Sequence, residues 1–257
     1  MLLYKQSNYM KTYVVNLERE ESRREYVKGL VAKMPFLEVE FIKAVEGKKL
    51  SHEEKRKAFD NQQAYQKYGR ICRDGEIGCT LSHRNCYKQI IERNEDYALI
   101  LEDDIVISRD LSKIMDSVPP LMRVDKPRVL LLSGFYWFIS KKRIQEDYYL
   151  ASIYDAYFTH AYVINQAAAK LILQQRAAYL ADDWKYMKEQ GVEILAFLPH
   201  LVDQLPEEVA PSSIFGKNEN RSMNKGNMSM NRKLRINLIG GMKKLLRFAG
   251  MYEGYIS

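Results

Sequence analysis

The chain has few of the features that mark exported or membrane-spanning proteins. Its 257 residues contain no apolar run near the roughly eighteen residues that a transmembrane helix needs, and the first eleven lack the apolar core of a signal peptide. The three cysteines, at positions 72, 79 and 86, are an odd number and make a disulfide framework implausible. We therefore expect a cytoplasmic protein.

Glycine-rich phosphate loops are also missing. Neither Gly-x-Gly-x-x-Gly nor the Walker pattern Gly-x-x-x-x-Gly-Lys-Ser/Thr occurs in the sequence. This absence argues against a classical dinucleotide site and against a P-loop enzyme. Any nucleotide would have to be held by other means.

The net positive charge of the chain comes entirely from its last 41 residues. Residues 217–257 carry nine basic and two acidic side chains, whereas the 216 residues before them carry 31 of each sign. We expect 217–231 to be a flexible linker and 232–257 to be a basic amphipathic tail with a helix. Such a tail favours an anionic membrane surface, with docking on its own domain and binding of nucleic acid as the alternatives. A nucleic-acid partner is not expected.

Residues 1–216 alternate strand and helix patterns, which predicts one α/β catalytic domain. Lys11–Leu17 and Val39–Val45 are predicted strands on either side of a charged helix, and Asp74 is placed to cap a helix that runs to about Arg93. Phe135–Phe158 is aromatic and poorly periodic. We expect it to form loops that either bind sugar rings or staple the core.

The most informative stretch is Asp96–Ser108. Ala98–Leu101 predicts a strand buried on both faces, and Glu102, Asp103 and Asp104 follow it directly. Because ligands of open α/β sheets bind at the carboxyl ends of strands, these acids predict a site for Mg²⁺ or Mn²⁺. An acidic helix start or a solvated turn is the alternative.

A second acidic pair, Asp182-Asp183, stands beside Trp184. Two separate acidic sites suggest a division of labour, in which one holds a metal and the other accepts a proton. Asp183 is our first candidate for the general base and Asp182 the second. A helix-capping or structural pair is the alternative.

The sequence offers two further sets of candidate metal ligands. His200 follows a predicted strand and could complete the shell around the acidic cluster, although such a histidine is often simply exposed. Cys79, His83 and Cys86 share one helical stripe and could hold zinc, but packing on a buried helix face is the more common role.

Four ordered blocks resemble the family 25 glycosyltransferases, which act in bacterial lipooligosaccharide synthesis and whose animal relatives galactosylate collagen hydroxylysine. The resemblance covers about residues 11–210. The blocks are Tyr13–Leu17 with Arg19, Arg23 and Arg24; Gly75–Cys79 with Leu81–His83; Ala98–Asp104; and Ala161–Ile164 with Asp183–Trp184.

This resemblance implies a single nucleotide-sugar-binding Rossmann-like domain of the GT-A type with a mixed central sheet. It implies an inverting transfer of a hexose, typically galactose, from a UDP donor with Mn²⁺ or Mg²⁺. Glu102-Asp103-Asp104 would replace the Asp-x-Asp signature, with Asp104 as the first choice for the metal ligand and Glu102 at the first position, and His200 could complete the metal shell. The donor-binding set is Asn16, Leu17, Arg19, Arg23, Arg24, Ala44, Ser82, His83, Glu102 and Asp103.

The sequence therefore predicts a metal-dependent hexosyltransferase, a β-galactosyltransferase by resemblance, that acts on a lipid-linked lipooligosaccharide or lipopolysaccharide acceptor. The tail would hold it on the inner face of the bacterial cytoplasmic membrane. A nucleotidyltransferase or phosphotransferase using the same acidic site is one alternative. A non-catalytic sugar-binding homologue is the other.

Overall fold

A computed structural model of the chain describes residues 9–107, 109, 111–206 and 230–254. The predicted linker 217–231 lies outside the described residues up to position 229. The strands are β1 (Met10–Asn16), β2 (Leu37–Lys43), β3 (Tyr97–Leu101), β4 (Ile105–Ile107), β5 (Arg128–Leu131), β6 (Phe135–Arg143), β7 (Tyr149–Tyr157), β8 (Ala161–Asn165), β9 (Glu193–Leu198), β10 (Val202–Gln204) and β11 (Tyr252–Glu253). The helices are α1 (Glu21–Val31), α2 (His52–Ala58), α3 (Asn61–Tyr68), α4 (Asp74–Glu92), α5 (Val118–Met122), α6 (Gln166–Leu173), α7 (Trp184–Glu189) and α8 (Met230–Phe248).

Nine of these strands form one mixed sheet, in the order β11-β6-β7-β9-β5-β8-β3-β1-β2. β1 runs parallel to β2 and β3, whereas β8 runs antiparallel to both β3 and β5. A mixed α/β fold with a large central sheet is thus confirmed. The start of β8 consequently lies at the same edge of the sheet as the ends of β1 and β3.

The predicted buried strand is confirmed as β3. Ala98, Leu99, Ile100 and Leu101 are all fully buried. Alternate residues of the strand enter different core clusters, because successive side chains point to opposite faces of the sheet. The strand end is therefore held between two packed layers, which fixes the position of the acids that follow it.

The aromatic region departs from the prediction. Residues expected to form loops make the two long strands β6 and β7, paired as an antiparallel hairpin. Tyr136 and Phe138 point into the core, but the strand register shifts on either side of Phe138. These irregularities break the two-residue alternation by which a strand is predicted from sequence.

Asp74 also differs from expectation, since it begins α4 and Arg73 holds the capping position.

The last described segment packs on the body of the protein. β11 pairs with β6 at the edge of the main sheet, and Leu246 of α8 is buried. The ammonium of Lys243 lies 2.5 Å from a carboxylate oxygen of Asp155. Within the described ranges, no helix combines the length and the apolar character needed to cross a membrane.

Candidate active site

The predicted acids lie in a cavity of about 350 Å³ at one edge of the sheet. The ends of β1, β2 and β3 and the turn before β8 form its floor, and the beginning of α4 forms one wall. All three carboxylates of Glu102, Asp103 and Asp104 line it. The strand order thus brings together side chains that lie far apart in the sequence.

Asp103 is held by β1 and α1. Asn16 donates from Nδ2 to one carboxylate oxygen at 2.8 Å, and Arg23 donates to the other at 3.1 Å. Burial raises the pKa of Asp103 above its usual value, although both donors oppose that shift. Both carboxylate oxygens of Asp103 are therefore used in hydrogen bonds that join the end of β3 to β1 and α1.

Asp104 differs from Asp103, because only one of its carboxylate oxygens accepts a hydrogen bond from the residues that the structure describes. Gln204 donates from Nε2 to Oδ2 at 2.8 Å, but Oδ1 is buried without a hydrogen-bond partner among the described residues. Burial and the nearby charge of Glu102 both raise the pKa of Asp104. A divalent cation would satisfy Oδ1 and offset the repulsion between Asp104 and Glu102, so these residues fit a metal.

Glu102 is stabilised in its ionised form. His83 Nε2 lies 3.2 Å from a carboxylate oxygen, and the Thr159 hydroxyl donates to the same oxygen. Burial alone would raise the pKa of Glu102, but these hydrogen bonds and the charges of His83 and His160 outweigh it and the pKa falls below its usual value. Glu102 therefore brings a full negative charge to the cavity.

Cys79, His83 and Cys86, the alternative zinc ligands, do not all face the same site. Cys86 is buried in the core, whereas Cys79 and His83 turn toward the cavity. One ligand atom from each of Cys79, His83 and Glu102 lies within 4.8 Å of the others, a grouping that could hold a metal ion. The other ring nitrogen of His83 lies 2.7 Å from the Tyr162 hydroxyl, which fixes the orientation of the imidazole.

The predicted donor residues divide into those that line the cavity and those that support it. Leu17, Arg19, Arg23 and Ala44 line it. Arg24 does not, since its guanidinium lies over the Phe41 ring at 4.9 Å on β2.

Ser82 also lines the cavity, but its hydroxyl has a structural role. Ser82 Oγ donates to the Gly78 carbonyl and accepts from the Val45 amide, both at 2.7 Å. At Gly78, an added Cβ would lie 2.4 Å from the carbonyl oxygen of Val45. An added Cβ at Gly47 would lie 1.7 Å from the Asp74 carbonyl oxygen, so only glycine fits at either position. This close approach brings the loop after β2 onto the start of α4.

The two candidate bases have different surroundings. Asp182 lines the cavity, and burial raises its pKa to about 6. Asp183 caps α7, where it accepts from the Tyr186 amide at 2.9 Å and from the Tyr68 hydroxyl at 2.6 Å. It is not among the cavity-lining residues. The structure therefore places the second candidate, Asp182, where a substrate would reach it.

His200 lies outside the cavity. It is fully buried, with Nδ1 3.1 Å from a Glu253 carboxylate oxygen and Nε2 2.7 Å from one of Asp203. Burial lowers the pKa of His200, but these two carboxylates outweigh that effect and raise it above the usual value. Both ring nitrogens are engaged, so this geometry leaves neither available to a metal beside Asp104.

Several cavity residues were missed by sequence reasoning. Phe158, Thr159 and His160 line the cavity from the turn before β8, and Gln204 reaches Asp104 from β10. Nδ1 of His160 is buried without a hydrogen-bond partner among the described residues. No motif marks these positions. Phe158, Thr159 and His160 are found only once β8 is known to run antiparallel to β3, and Gln204 only once β10 is known to pair with β4.

A family model described as "Glycosyltransferase family 25 (LPS biosynthesis protein)" matches residues 9–184. This chain belongs to glycosyltransferase family 25. The matched region includes every cavity-lining residue except Gln204. The cavity of this family 25 glycosyltransferase is therefore built almost entirely from the part of the chain that defines the family.

Curated relatives of this family 25 glycosyltransferase are mostly longer animal proteins. It is 28% identical over 211 residues to a glycosyltransferase 25 family member of Aedes aegypti, covering 76% of this chain and 31% of that protein. It is 30% identical over 113 residues to human procollagen galactosyltransferase 2, covering 41% and 18%. A bovine relative at 23% identity over 207 residues, covering 76% and 32%, is named a probable inactive member. The chain spans less than a third of the length of these relatives.

Proposed function

We propose that this family 25 glycosyltransferase is a metal-dependent enzyme that transfers galactose from UDP-galactose with inversion. One observation carries the proposal. Glu102 and Asp104 face one cavity together with a separate carboxylate, Asp182, whose pKa is raised, and Oδ1 of Asp104 is buried without a hydrogen-bond partner among the described residues. Galactose is chosen because several relatives are named procollagen galactosyltransferases.

The donor half of the site lies along β1 and β2. Leu17 and Ala44 offer apolar surface to a nucleoside, and Arg19 and Arg23 bring positive charge near the position of a diphosphate. Mn²⁺ or Mg²⁺ held by Asp104 and Glu102 would neutralise negative charge on the departing diphosphate. Asp103 supports this half by holding Asn16 and Arg23 in place.

Asp182 is the proposed general base. It would accept the proton of the acceptor hydroxyl while that oxygen bonds to the anomeric carbon and the bond from that carbon to the diphosphate breaks, releasing UDP. A pKa of about 6 suits this role, because the carboxylate is ionised at neutral pH and is more basic than an exposed aspartate. Asp183 is better explained as the cap of α7.

The proposed acceptor is a lipid-linked lipooligosaccharide or lipopolysaccharide, in line with the description of the matching family. α8 supports a membrane partner, since residues 230–248 contain six basic and no acidic residues. Leu238, Leu245 and Phe248 are 66%, 61% and 95% exposed, whereas Leu246 is buried against the domain. An anionic membrane surface, on the cytoplasmic side of a bacterial inner membrane, would accept both the apolar and the basic groups.

Two rival functions make different predictions. A nucleotidyltransferase with the same acidic site would release pyrophosphate from UTP, whereas the proposed enzyme releases UDP from UDP-galactose. A non-catalytic homologue, as the bovine relative's name suggests for that protein, would bind a sugar nucleotide without turnover. The ionised Glu102 and the cavity-facing Asp182 favour catalysis.

The test is release of UDP from UDP-galactose by the purified protein with Mn²⁺, comparing Asp104→Ala with the exposed-residue control Asp147→Ala. We expect release that requires Mn²⁺, falls at least about 100-fold in Asp104→Ala and persists in Asp147→Ala. Release that is indifferent to Asp104 would overturn the metal assignment. Pyrophosphate release from UTP would favour the nucleotidyltransferase.

A further inference from the structure

Phe158 has a backbone conformation that a bulky residue rarely adopts. Its φ is +73°, and Asn94 is the only other non-glycine residue with a positive φ in the described ranges. Asparagine tolerates this left-handed region, but phenylalanine does so at an energetic cost. Such strained residues cluster at functional sites, and Phe158 lines the cavity.

Hydrogen bonds on both sides of Phe158 maintain this conformation. Its amide hydrogen-bonds to the Asp182 carboxylate, and its carbonyl accepts from Trp184 Nε1 at 2.8 Å. Trp184 is itself almost fully buried. The next residue, Thr159, donates to Glu102. The turn at Phe158 therefore connects the proposed base to the acidic cluster.

Neighbouring rings orient the aromatic side chain. The Phe158 ring stacks on His160 with centroids 5.0 Å apart and planes 15° apart, and it meets the Phe135 ring at 5.5 Å. The side chain is neither fully buried nor fully exposed. It thus presents a fixed aromatic surface in the wall of the cavity, and such surfaces pack well on the C–H-rich faces of sugars.

The strand order indicates whether the donor sugar or the acceptor sugar would contact the Phe158 ring. From one edge inward the order is β2, β1, β3, β8. Leu17 and Ala44, the proposed nucleoside contacts, follow β1 and β2, and the acids follow β3. Phe158 precedes β8 and so lies on the opposite side of the acids. A donor that occupies the β1–β2 side leaves the β8 side to the acceptor.

We propose that Phe158 is the platform for the pyranose ring of the acceptor, which it holds so that one hydroxyl faces Asp182. The inference rests on the proposed function, because it requires the donor on the β1–β2 side and Asp182 as the base. It extends that function by naming the residue that recognises the acceptor and the acceptor's chemical class, a pyranoside with an apolar face. Stacking on the uracil of the donor is the competing role of the same ring.

Saturation-transfer NMR tests this proposal on the full chain with UDP and Mg²⁺ bound, because Mg²⁺ is diamagnetic and leaves the proton signals of the probes sharp. The probes are methyl β-D-galactopyranoside, methyl β-D-glucopyranoside and methyl α-D-mannopyranoside. The variants are Phe158→Asn, which removes the ring but tolerates a positive φ, and Phe158→Trp, which keeps an aromatic face. The matched control is Tyr157→Asn, which removes an exposed neighbouring ring that does not line the cavity.

We expect at least one pyranoside to receive saturation at its ring C–H protons from the wild-type protein. The signal should fall about 3- to 10-fold in Phe158→Asn and persist in Phe158→Trp and Tyr157→Asn. A signal that persists in Phe158→Asn, or no signal from any pyranoside with the wild-type protein, overturns the proposal. Loss of UDP affinity in Phe158→Asn with pyranoside contact retained also overturns it and assigns the ring to uracil.

Failure of the proposed function would look different. The melting-temperature shift of the wild-type protein by UDP with Mn²⁺ reports the donor half alone. If that shift is missing, the donor assignment fails whatever the pyranosides show. If the melting-temperature shift is present and the pyranosides give no signal that depends on Phe158, only the assignment of Phe158 as the acceptor platform is wrong.

Discussion

Asn16 donates from Nδ2 to Oδ2 of Asp103 at 2.8 Å, across 87 positions of sequence. This hydrogen bond joins the end of β1 to the end of β3, and Arg23 completes the arrangement from α1. Because Asp103 is occupied in this way, the acids on either side of it, Glu102 and Asp104, are the ones left for a metal. Asp103 therefore fixes the ends of β1 and β3 relative to each other.

Asn16→Ala should therefore lower both stability and donor binding. It leaves a buried carboxylate oxygen of Asp103 without its donor, which costs about 1–3 kcal/mol in the free energy of unfolding. Urea unfolding measures this loss, and the shift in melting temperature by UDP measures binding. Asn85→Ala, at a partly exposed position on α4, is the control and should change stability by less than about 0.5 kcal/mol. Equal effects of the two variants would contradict the role of Asn16.

Asp182→Asn should strongly reduce transfer but stabilise the fold. The burial that raises the pKa of Asp182 to about 6, from an ordinary value of 3.8, disfavours the ionised carboxylate in the folded protein. The penalty is absent below pH 4, grows as the pH rises and is complete above pH 6. We expect Asp182→Asn to be more stable by on the order of 2 kcal/mol at pH 7 in EDTA, and to match the wild type near pH 4.

Asp183→Asn is the matched control for Asp182→Asn, and the two should behave in opposite ways. Asparagine still caps α7, but it removes the negative charge that pairs with Lys67 at 3.3 Å and accepts from Tyr68, so stability should fall by about 1 kcal/mol while transfer persists. Asp182→Asn should lower kcat about 100-fold or more, and wild-type activity should fall as the pH drops through about 6. Loss of transfer in Asp183→Asn alone would restore the original ranking of the two acids.

The central part of the fold can be predicted because its sequence pattern lies within a few neighbouring residues. Ala98–Leu101 is a short apolar run followed at once by three acids, and both the buried strand β3 and its acidic end follow from that pattern. These features need no knowledge of strand order.

The rest of the site depends on long-range pairing that no local pattern encodes. Phe158, Thr159 and His160 enter the cavity because β8 runs antiparallel to β3, which only the sheet topology reveals. Asp183 holds the capping position of α7, and Asp182 lies one residue before it. This difference of one position decides which of the two acids faces the cavity. His200 was predicted as a metal ligand from its place after a strand, and only the folded chain shows that Asp203 and Glu253 surround it instead.

His200→Gln should destabilise the protein in a pH-dependent way. Burial opposes the charge on His200, but Glu253 and Asp203 outweigh it and hold the folded pKa above the usual value of 6.5. The stability gained from the charged imidazole is fully present below pH 6.5 and is lost as the pH rises through the folded pKa. The difference between wild type and His200→Gln, measured by urea unfolding, should therefore shrink at high pH.

The same variant tests whether His200 binds metal. In His200→Gln the Mn²⁺ affinity measured by calorimetry should change less than about threefold, whereas Asp104→Asn should lose at least about tenfold. Losses of similar size would place His200 in the metal site after all.

Removing apolar groups from the exposed side of α8 should weaken membrane binding. Leu238→Ser with Leu245→Ser should reduce cosedimentation with vesicles of phosphatidylcholine and phosphatidylglycerol by about 10-fold, because both side chains would insert into the interface. Pure phosphatidylcholine vesicles should bind poorly, since the helix is basic. Ile71→Ser removes an equally exposed aliphatic side chain elsewhere and serves as the control. Binding unaffected by the double substitution would contradict a membrane role for α8.

The central claim is that Asp104 and Glu102 hold a cation that completes a UDP-sugar site. The most direct measurement is the melting temperature of the wild-type protein and of Asp104→Ala with UDP-galactose, with and without Mn²⁺. At a hundredfold excess over the dissociation constant, we expect a rise of about 5 °C in the wild type that requires Mn²⁺ and is absent in Asp104→Ala. A shift of the same size in Asp104→Ala, or one that is unchanged in EDTA, would contradict the account.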